Sequence, residues 1–191
     1  MKRMLLAVVV GLSGVAAAAI STAEFGSFTP GANDTDYQPT PNALLFTAAN
    51  GMTSGVVCLT RGVGAGAETG AVGEYTKLGG KARCKTTTSL DVPGTGRQPT
   101  VWYPVTGKFS WRKHSGATVV SSAVRWGKHV SGADVIPCRT KSSTPTSAGW
   151  SLGHVTVGSD RVPKCYLAGS DGRGSSWPDF EVLIQRSLDG A

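Results

Sequence analysis

The four cysteines of this 191-residue chain fall at two nearly equal intervals, and that spacing narrows the folds open to it. Cys58 and Cys84 are 26 positions apart, and Cys138 and Cys165 are 27 apart. The first and third of them stand in similar phrases, VCLTR and PCRTK. No Cys-x-x-Cys motif or Cys/His cluster is present, which disfavours a zinc site. The spacing instead indicates two copies of one unit, each with its own disulfide.

An offset of 80 residues aligns the two copies in order. The closing segments PTVWYPV and PDFEVLI also match. The other matched pairs include Ala43 and Ala123, Val56 and Ile136, Thr60 and Thr140, and Gly73 and Gly153. We therefore infer a duplication, and equivalent bridges select one of the three connectivities that four cysteines allow. Cys58 is expected to pair with Cys84, and Cys138 with Cys165.

The pattern of short apolar runs predicts an all-β chain. Runs at 43–46, 56–59, 101–105, 135–139 and 180–184 are each bounded by Gly, Pro, Asn or Ser. No segment after the first 23 residues keeps a 3.6-residue period, so we expect almost no helix. Because the connection between the copies is short, we predict one antiparallel β-sandwich of two tandem, intertwined repeats with pseudo-two-fold symmetry. The predicted domain covers 41–191, with repeat one at 41–108 and repeat two at 109–187.

The amino-terminal residues are predicted to lie outside the domain. Lys2 and Arg3 form a basic start, and the residues that follow have no charge until Glu24. Small residues end this stretch, so residues 1–23 read as a secretory signal cleaved after Ala19 or Ala23. The alternative is a retained membrane anchor, because about twenty apolar residues can span a bilayer. We expect a secreted protein, extracellular or periplasmic, in which residues 24–40 form an extended lead-in rather than core.

The second copy resembles the DM-nine repeat, a motif with a characteristic Trp, a Gly-x-Asp turn, a Tyr-Val-x-Arg strand and a closing Tyr-Glu-Val-Leu. The matching residues are Trp111, Gly116, Ala123, Val124, Gly127, Arg139, Gly153, Phe180, Glu181, Val182 and Leu183. The first copy fits more loosely, and together they cover nearly all of the chain after the signal. Tandem DM-nine pairs form one antiparallel β domain in mannose-binding lectins and in the amino-terminal region of natterin-type proteins. The resemblance therefore implies a carbohydrate-binding protein.

In sugar-binding members of this family an Asp and a Lys hold the sugar hydroxyls. The matching positions here are His129 and His154 in the second copy and Ala49 and Glu74 in the first, so neither copy keeps the pair. Neutral imidazole both donates and accepts hydrogen bonds, so a histidine pair can hold a hydroxyl or act as an ordinary structural pair. Two nitrogens are too few for a convincing metal site, and we expect no metal and no cofactor.

The better sugar site is therefore expected in the second copy. Its candidate residues are His129, Ser131, Asp134 and His154, and Asp134, a few residues beyond the lost family aspartate, is expected to supply the missing carboxylate. Glu74 is the candidate in the first copy. Binding of an uncharged sugar would then change between about pH 5 and 8, where unperturbed histidine titrates. Trp126 and Trp150 flank the two candidate turns and suit either sugar stacking or core packing.

One motif suggests an enzyme but is set aside. Gly149 to Gly153 matches Gly-x-Ser-x-Gly, the nucleophile elbow of hydrolases. That motif needs a strand that turns sharply into a helix, and the following HVTVGSD reads as strand and turn. Ser151 becomes Ala71 in the first copy, so the serine does not belong to the repeat. We expect no enzymatic activity.

Charge gives a second guide to partners. Without Lys2 and Arg3 the chain has 17 basic and 12 acidic residues, a net charge of +5. Basic clusters at 77–85 and 112–114 are either solvated strand faces or an attraction for acidic polysaccharide. No nucleic-acid-binding module is recognisable, so no nucleic acid partner is expected. The alternative function is a structural subunit that self-assembles in a surface layer or filament, with the lead-in added to a neighbour's sheet edge.

Overall fold

The structure is a computed structural model that describes residues 24–28, 42–47, 54–61, 70–78, 81–86, 101–128, 132–141, 149–157, 159–168 and 174–186. Within these ranges the chain forms twelve β-strands and no α-helix, as the sequence predicts. No helix in this part of the chain is both long enough and apolar enough to cross a bilayer. The strands are β1 Phe25–Phe28, β2 Leu45–Thr47, β3 Ser54–Arg61, β4 Gly70–Leu78, β5 Lys81–Thr86, β6 Val101–Pro104, β7 Phe109–Lys113, β8 Pro137–Lys141, β9 Trp150–Val157, β10 Pro163–Ala168, β11 Gly174–Trp177 and β12 Glu181–Gln185.

The strands make two antiparallel sheets of six. Sheet one has the order β1-β6-β3-β4-β5, with β2 paired to β3, and sheet two has the order β11-β10-β9-β8-β12-β7. The main core cluster joins Leu59 and Val72 of sheet one to Phe109 and Leu183 of sheet two. Alternating side chains from the two inner faces therefore meet, as in a β-sandwich. The predicted fold class, an all-β antiparallel sandwich, is confirmed.

Both predicted disulfides are present. Cys58 bonds to Cys84 with 5.7 Å between the Cα atoms, and Cys138 bonds to Cys165 with 5.9 Å. Each bridge links two strands that flank a shared neighbour, β4 in sheet one and β9 in sheet two. On β9 the residue opposite Cys138 is Gly153, where an added Cβ would lie 2.1 Å from the carbonyl oxygen of Tyr166. Only glycine fits that backbone approach.

Part of the predicted lead-in belongs to the sandwich. Residues 25–28 form β1, the edge strand that pairs with β6. The side chain of Phe25 is 7% exposed, and its ring lies 4.4 Å from Phe109 and 5.0 Å from Trp126. The expectation that the lead-in lies outside the core therefore does not hold for Phe25, because burial of its ring outweighs the lack of a strand signal around it. Residues 1–23 and 29–41 lie outside the described residues.

The two sheets share one pairing pattern. Laying β7, β12, β8, β9 and β10 on β1, β6, β3, β4 and β5 reproduces the order of the neighbours. The agreement extends to single residues at matched positions: Cys58 opposes Gly73 as Cys138 opposes Gly153, Ala43 bridges Val105 as Ala123 bridges Ile184, and Leu44 N donates to Pro104 O as Val124 N donates to Leu183 O. In this comparison β1 lies at the edge of sheet one as β7 lies at the edge of sheet two.

Each half contributes side chains to the other half's sheet but exchanges no strand with it among the described residues. Trp126, from the segment after β7, packs with Phe25 and Leu59 of sheet one. Phe46, from β2, packs with Leu152 of sheet two. Segments of each half therefore pack against the sheet of the other half, while each described sheet is built from one half of the chain.

Candidate functional site

Asp134 lies opposite Lys128 in an antiparallel bridge and forms two ion pairs. Its Oδ2 accepts a hydrogen bond from Arg125 Nη1 at 2.9 Å, and its Oδ1 accepts one from Lys128 Nζ at 2.5 Å. The hydrogen bond from Lys128 is the main reason that the pKa of Asp134 lies below its usual range. Because both carboxylate oxygens already accept from cations, Asp134 links its own segment to the segment of Arg125 and Lys128. A sugar hydroxyl would have to compete with those two cations.

His154 and Glu74 lie on facing strands of the sandwich. The imidazole of His154 on β9 is only 5% exposed and lies 5.4 Å from the Tyr166 ring. Glu74 on β4 is half-buried, opposite Val57 in the strand register. β4 and β9 pack against each other across the sandwich. His154 is therefore placed as an interior residue rather than as part of an open sugar site, while His129 and Ser131 of the predicted site, and Ala49, lie outside the described residues.

A different group of polar and aromatic side chains gathers at one end of sheet two. We name it the Trp–Arg cluster and define it as Trp111, Arg139, Lys141, Trp150 and Glu181. The pairing of β7, β12, β8 and β9 places all five on one face of the sheet. The guanidinium carbon of Arg139 lies 4.8 Å from the ring centroid of Trp111 and 4.1 Å from that of Trp150. Both distances are within the range of cation–π attraction.

Glu181 holds the guanidinium in this position. Arg139 Nε donates to Glu181 Oε2 at 2.7 Å, and Arg139 Nη2 lies 2.6 Å from the same oxygen. The Arg139 side chain is 16% exposed and that of Glu181 is 23% exposed, so the pair is only partly screened by water. Burial lowers the pKa of Arg139, and the hydrogen bond and charge of Glu181 offset only part of that effect. The carboxylate thus leaves the buried cation incompletely compensated.

The outer part of the cluster faces solvent. Trp111 and Trp150 are half-buried and pack with Phe46, while Lys141 is exposed with its Nζ 5.7 Å from the Trp150 centroid. Lys141 takes part in no ion pair within the part of the chain that the structure describes. The buried indole N–H of Trp111 likewise has no hydrogen-bond acceptor among the described residues. On its solvent side the cluster therefore presents the Lys141 ammonium beside aromatic surface.

Among the side chains that the structure describes, sheet one has no such cluster at the matched positions. The 80-residue offset pairs Leu59 with Arg139 and Gly70 with Trp150, and the strand registers pair Phe25 with Trp111 and Trp102 with Glu181. The space is filled by Trp126, which is 0% exposed and donates its Nε1 hydrogen to the carbonyl oxygen of Thr60 at 2.9 Å. A Cβ added to Gly70 would lie 2.4 Å from the backbone carbonyl oxygen of Trp126 and 3.1 Å from its indole Cδ1, so Trp126 can approach this closely only because Gly70 has no side chain.

The Gly-x-Ser-x-Gly motif has strand geometry. Ser151 lies within β9, opposite Thr140, and the strand continues to Val157 without a turn into a helix. The motif therefore lacks the sharp strand-to-helix turn that exposes a nucleophile. No group of three or more His, Cys, Asp or Glu side chains is placed to hold a metal ion in the described residues.

Sequence reasoning named Trp150 as a stacking candidate and Arg139 as a family match, but it did not join them. The signal available was the offset itself, which sets a charged Arg139 against an apolar Leu59 in the middle of a strand. No protein-family model matches the chain, and a search of curated proteins finds no similar sequence. We therefore infer function from the geometry of the described residues.

Proposed function

We propose that the protein is a secreted, lectin-like carbohydrate-binding protein and that the Trp–Arg cluster is its binding site. One observation supports this most: two half-buried indoles flank a guanidinium and a carboxylate at the exposed end of a sheet. A sugar ring offers an apolar C–H face to indole and adjacent hydroxyls to polar groups. Carboxylates accept from such hydroxyls, while guanidinium and ammonium donate to them. This mixture of aromatic surface and few oriented polar groups is typical of ligand sites.

The shared strand registers support the inference that the two halves arose by duplication. On that reading the second copy holds the binding site, and the first copy has lost or never had it, because Trp126 and Leu59 fill the matched place with apolar atoms. We therefore expect one glycan site per chain. Isothermal titration with a bound oligosaccharide should give a stoichiometry near one, and a value near two would contradict this asymmetry.

Export from the cell is the second part of the proposal. The two disulfides fit an oxidising compartment. The charged, apolar and small-residue order of residues 1–23 supports a secretory signal. The alternative function is assembly in which the lead-in adds to the sheet edge of a neighbouring chain. In the structure, residues 25–28 of the lead-in already pair with β6 of the same chain. That pairing gives less support to strand addition between chains.

A glycan array followed by titration of two tryptophan variants tests the site. Trp150→Ala removes an indole from the cluster, and we expect it to weaken binding by about tenfold or more, a loss of roughly 1.4 kcal/mol. Trp177→Ala is the matched control, because this half-buried indole lies on the edge strand β11 outside the cluster. Far-UV circular dichroism checks that both variants fold.

The two variants must differ for the proposal to hold. If Trp150→Ala bound the glycan as tightly as the unmodified chain, the Trp–Arg cluster would not be the binding site. If His154→Ala or Glu74→Ala weakened binding instead, the site would lie at the positions that the family resemblance indicates. An array on which no glycan binds, together with filaments that form without sugar, would favour the structural alternative.

A further inference from the structure

We infer that the sugar recognised at the Trp–Arg cluster has an anionic group, a carboxylate or a sulfate, that lies beside Lys141. This inference rests on the proposed function and adds the chemical class of the ligand. It starts from the arrangement of charge on one face of sheet two. The strand register sets Glu181 opposite both Lys113 and Arg139, so the three form a row across β7, β12 and β8. Lys141 lies two residues beyond Arg139 on the same face.

The cations on this face exceed the carboxylates that balance them. Three cations, Lys113, Arg139 and Lys141, are set against the two carboxylates Asp179 and Glu181. Lys113 Nζ lies 3.3 Å from Asp179 Oδ1, but the side chains are 71% and 83% exposed, and such surface pairs contribute little. A ligand anion can therefore draw Lys113 to itself at small cost. Together with the charge of +5 on the chain without its first 23 residues, this favours an acidic ligand.

Arg139 is the centre of the argument because its hydrogen-bonding capacity is only partly used. Its Nε and Nη2 both point to the single oxygen Oε2 of Glu181, and a guanidinium has five N–H groups. Partial burial disfavours the charged form of Arg139 by more than Glu181 stabilises that form. A second anion close to the guanidinium would reduce that deficit, whereas an uncharged sugar would leave it unchanged.

The position of the anion follows from Lys141. Its Nζ lies 5.7 Å from the Trp150 centroid, whereas the guanidinium carbon lies 4.1 Å from the same ring. A sugar ring packed on the exposed part of this indole would bring an acidic substituent near the Lys141 ammonium. Charge-assisted hydrogen bonds from ammonium or guanidinium to an anion are about twice as strong as neutral ones. We therefore expect the acidic group to account for a large part of the affinity.

Two matched pairs of soluble oligosaccharides test the inference. Oligogalacturonate is compared with an uncharged galactose oligomer, and sulfated dextran oligomer with uncharged dextran oligomer, so the arms separate a carboxylate from a sulfate. We expect at least one acidic member to bind about tenfold more tightly than its neutral partner. Raising the salt from about 50 mM to about 500 mM should weaken the acidic member much more than the neutral one, because salt screens exposed charges.

Lys141→Gln and the control Lys108→Gln separate the local contact from the net charge of the chain. Lys108 is also exposed, in the turn between β6 and β7, and its loss changes the total charge equally. We expect Lys141→Gln to lower affinity for the acidic oligomer about fivefold or more and to leave neutral binding unchanged, whereas Lys108→Gln should have little effect. Equal losses in both variants, or neutral oligomers that bind as tightly as acidic ones, would overturn the inference but leave glycan binding in place. Binding of none of the four oligomers would contradict the inference, and the glycan array decides the proposed function separately.

Discussion

Removal of Trp126 should be among the most destabilising single changes in the chain. Its indole is fully buried between the halves, where it contacts the rings of Phe25 and Trp102 at centroid distances of 5.0 Å and 5.9 Å. Truncation of a buried Trp to Ala costs about 3–5 kcal/mol. The lost hydrogen bond to the carbonyl oxygen of Thr60 adds about 1 kcal/mol. We therefore expect Trp126→Ala to lower the free energy of unfolding by about 4–6 kcal/mol and Tm by about 10–20 °C.

Urea unfolding followed by far-UV circular dichroism measures this loss, with the disulfides kept oxidised in every sample. Trp126→Phe keeps a six-membered ring but removes the N–H donor and the pyrrole part of the indole, so about 1–3 kcal/mol should be lost, less than for Trp126→Ala. Trp177→Ala on the edge strand is the control and should cost less than about 1 kcal/mol. A loss under about 1 kcal/mol for Trp126→Ala would refute the placement of this indole in a core shared by both halves.

Three other predictions concern stability. Because the pKa of Asp134 is lowered, chiefly by the hydrogen bond from Lys128, its carboxylate stabilises the fold above the usual Asp pKa and loses this effect as pH falls through the native value. Asp134→Asn should therefore lower Tm slightly at pH 6 but not near pH 2, and an equal loss at both pH values would contradict the ion pair. The double variant Cys138→Ala/Cys165→Ala should lose about 3 kcal/mol in thermal or urea unfolding, and no loss would contradict a stabilising bridge. Arg139→Leu/Glu181→Leu should keep or raise Tm, since apolar replacement of a partly buried ion pair is often neutral or stabilising. Glycan binding should fall in the same variant. A large drop in Tm would instead show that the pair is needed for stability.

The sequence was sufficient for the fold class and the disulfides, because both depend on local signals. Turn residues bound nearly every strand, and the equal cysteine intervals select the pairing that the structure confirms. The closing segments PTVWYPV and PDFEVLI, which match in the sequence, become β6 and β12, which hold corresponding places in the orders of their two sheets. What the sequence did not reveal was β1, because the EFGSF segment has no alternating apolar pattern and is ordered by β6 and the burial of Phe25.

The candidate site was less predictable because it depends on contacts between distant strands. Arg139 and Glu181 are 42 residues apart in the chain, and only the pairing of β8 with β12 brings their side chains together. The family resemblance makes His154 a candidate at a ligand position and Asp134 a candidate a few residues beyond the lost aspartate. Neither side chain is open in the structure, because one is held by two cations and the other is buried. A ligand position carried over from a family indicates a place on the backbone, but neighbouring side chains decide whether a ligand can reach it.

The matched positions in the two sheets are filled by different kinds of side chain. In sheet one, strand β4 has Gly70 at this position, and the indole of Trp126 from the second half of the chain packs beside it. The position is therefore filled by apolar atoms. In sheet two the strand supplies the indole of Trp150, and the other half supplies the smaller ring of Phe46. Arg139 fills the rest of the space. Partial burial of its charge has a desolvation cost, whereas burial of Leu59 at the matched position has none. Because the apolar solution is available within the same chain, stability alone does not explain the guanidinium. We propose that recognition of a ligand accounts for it.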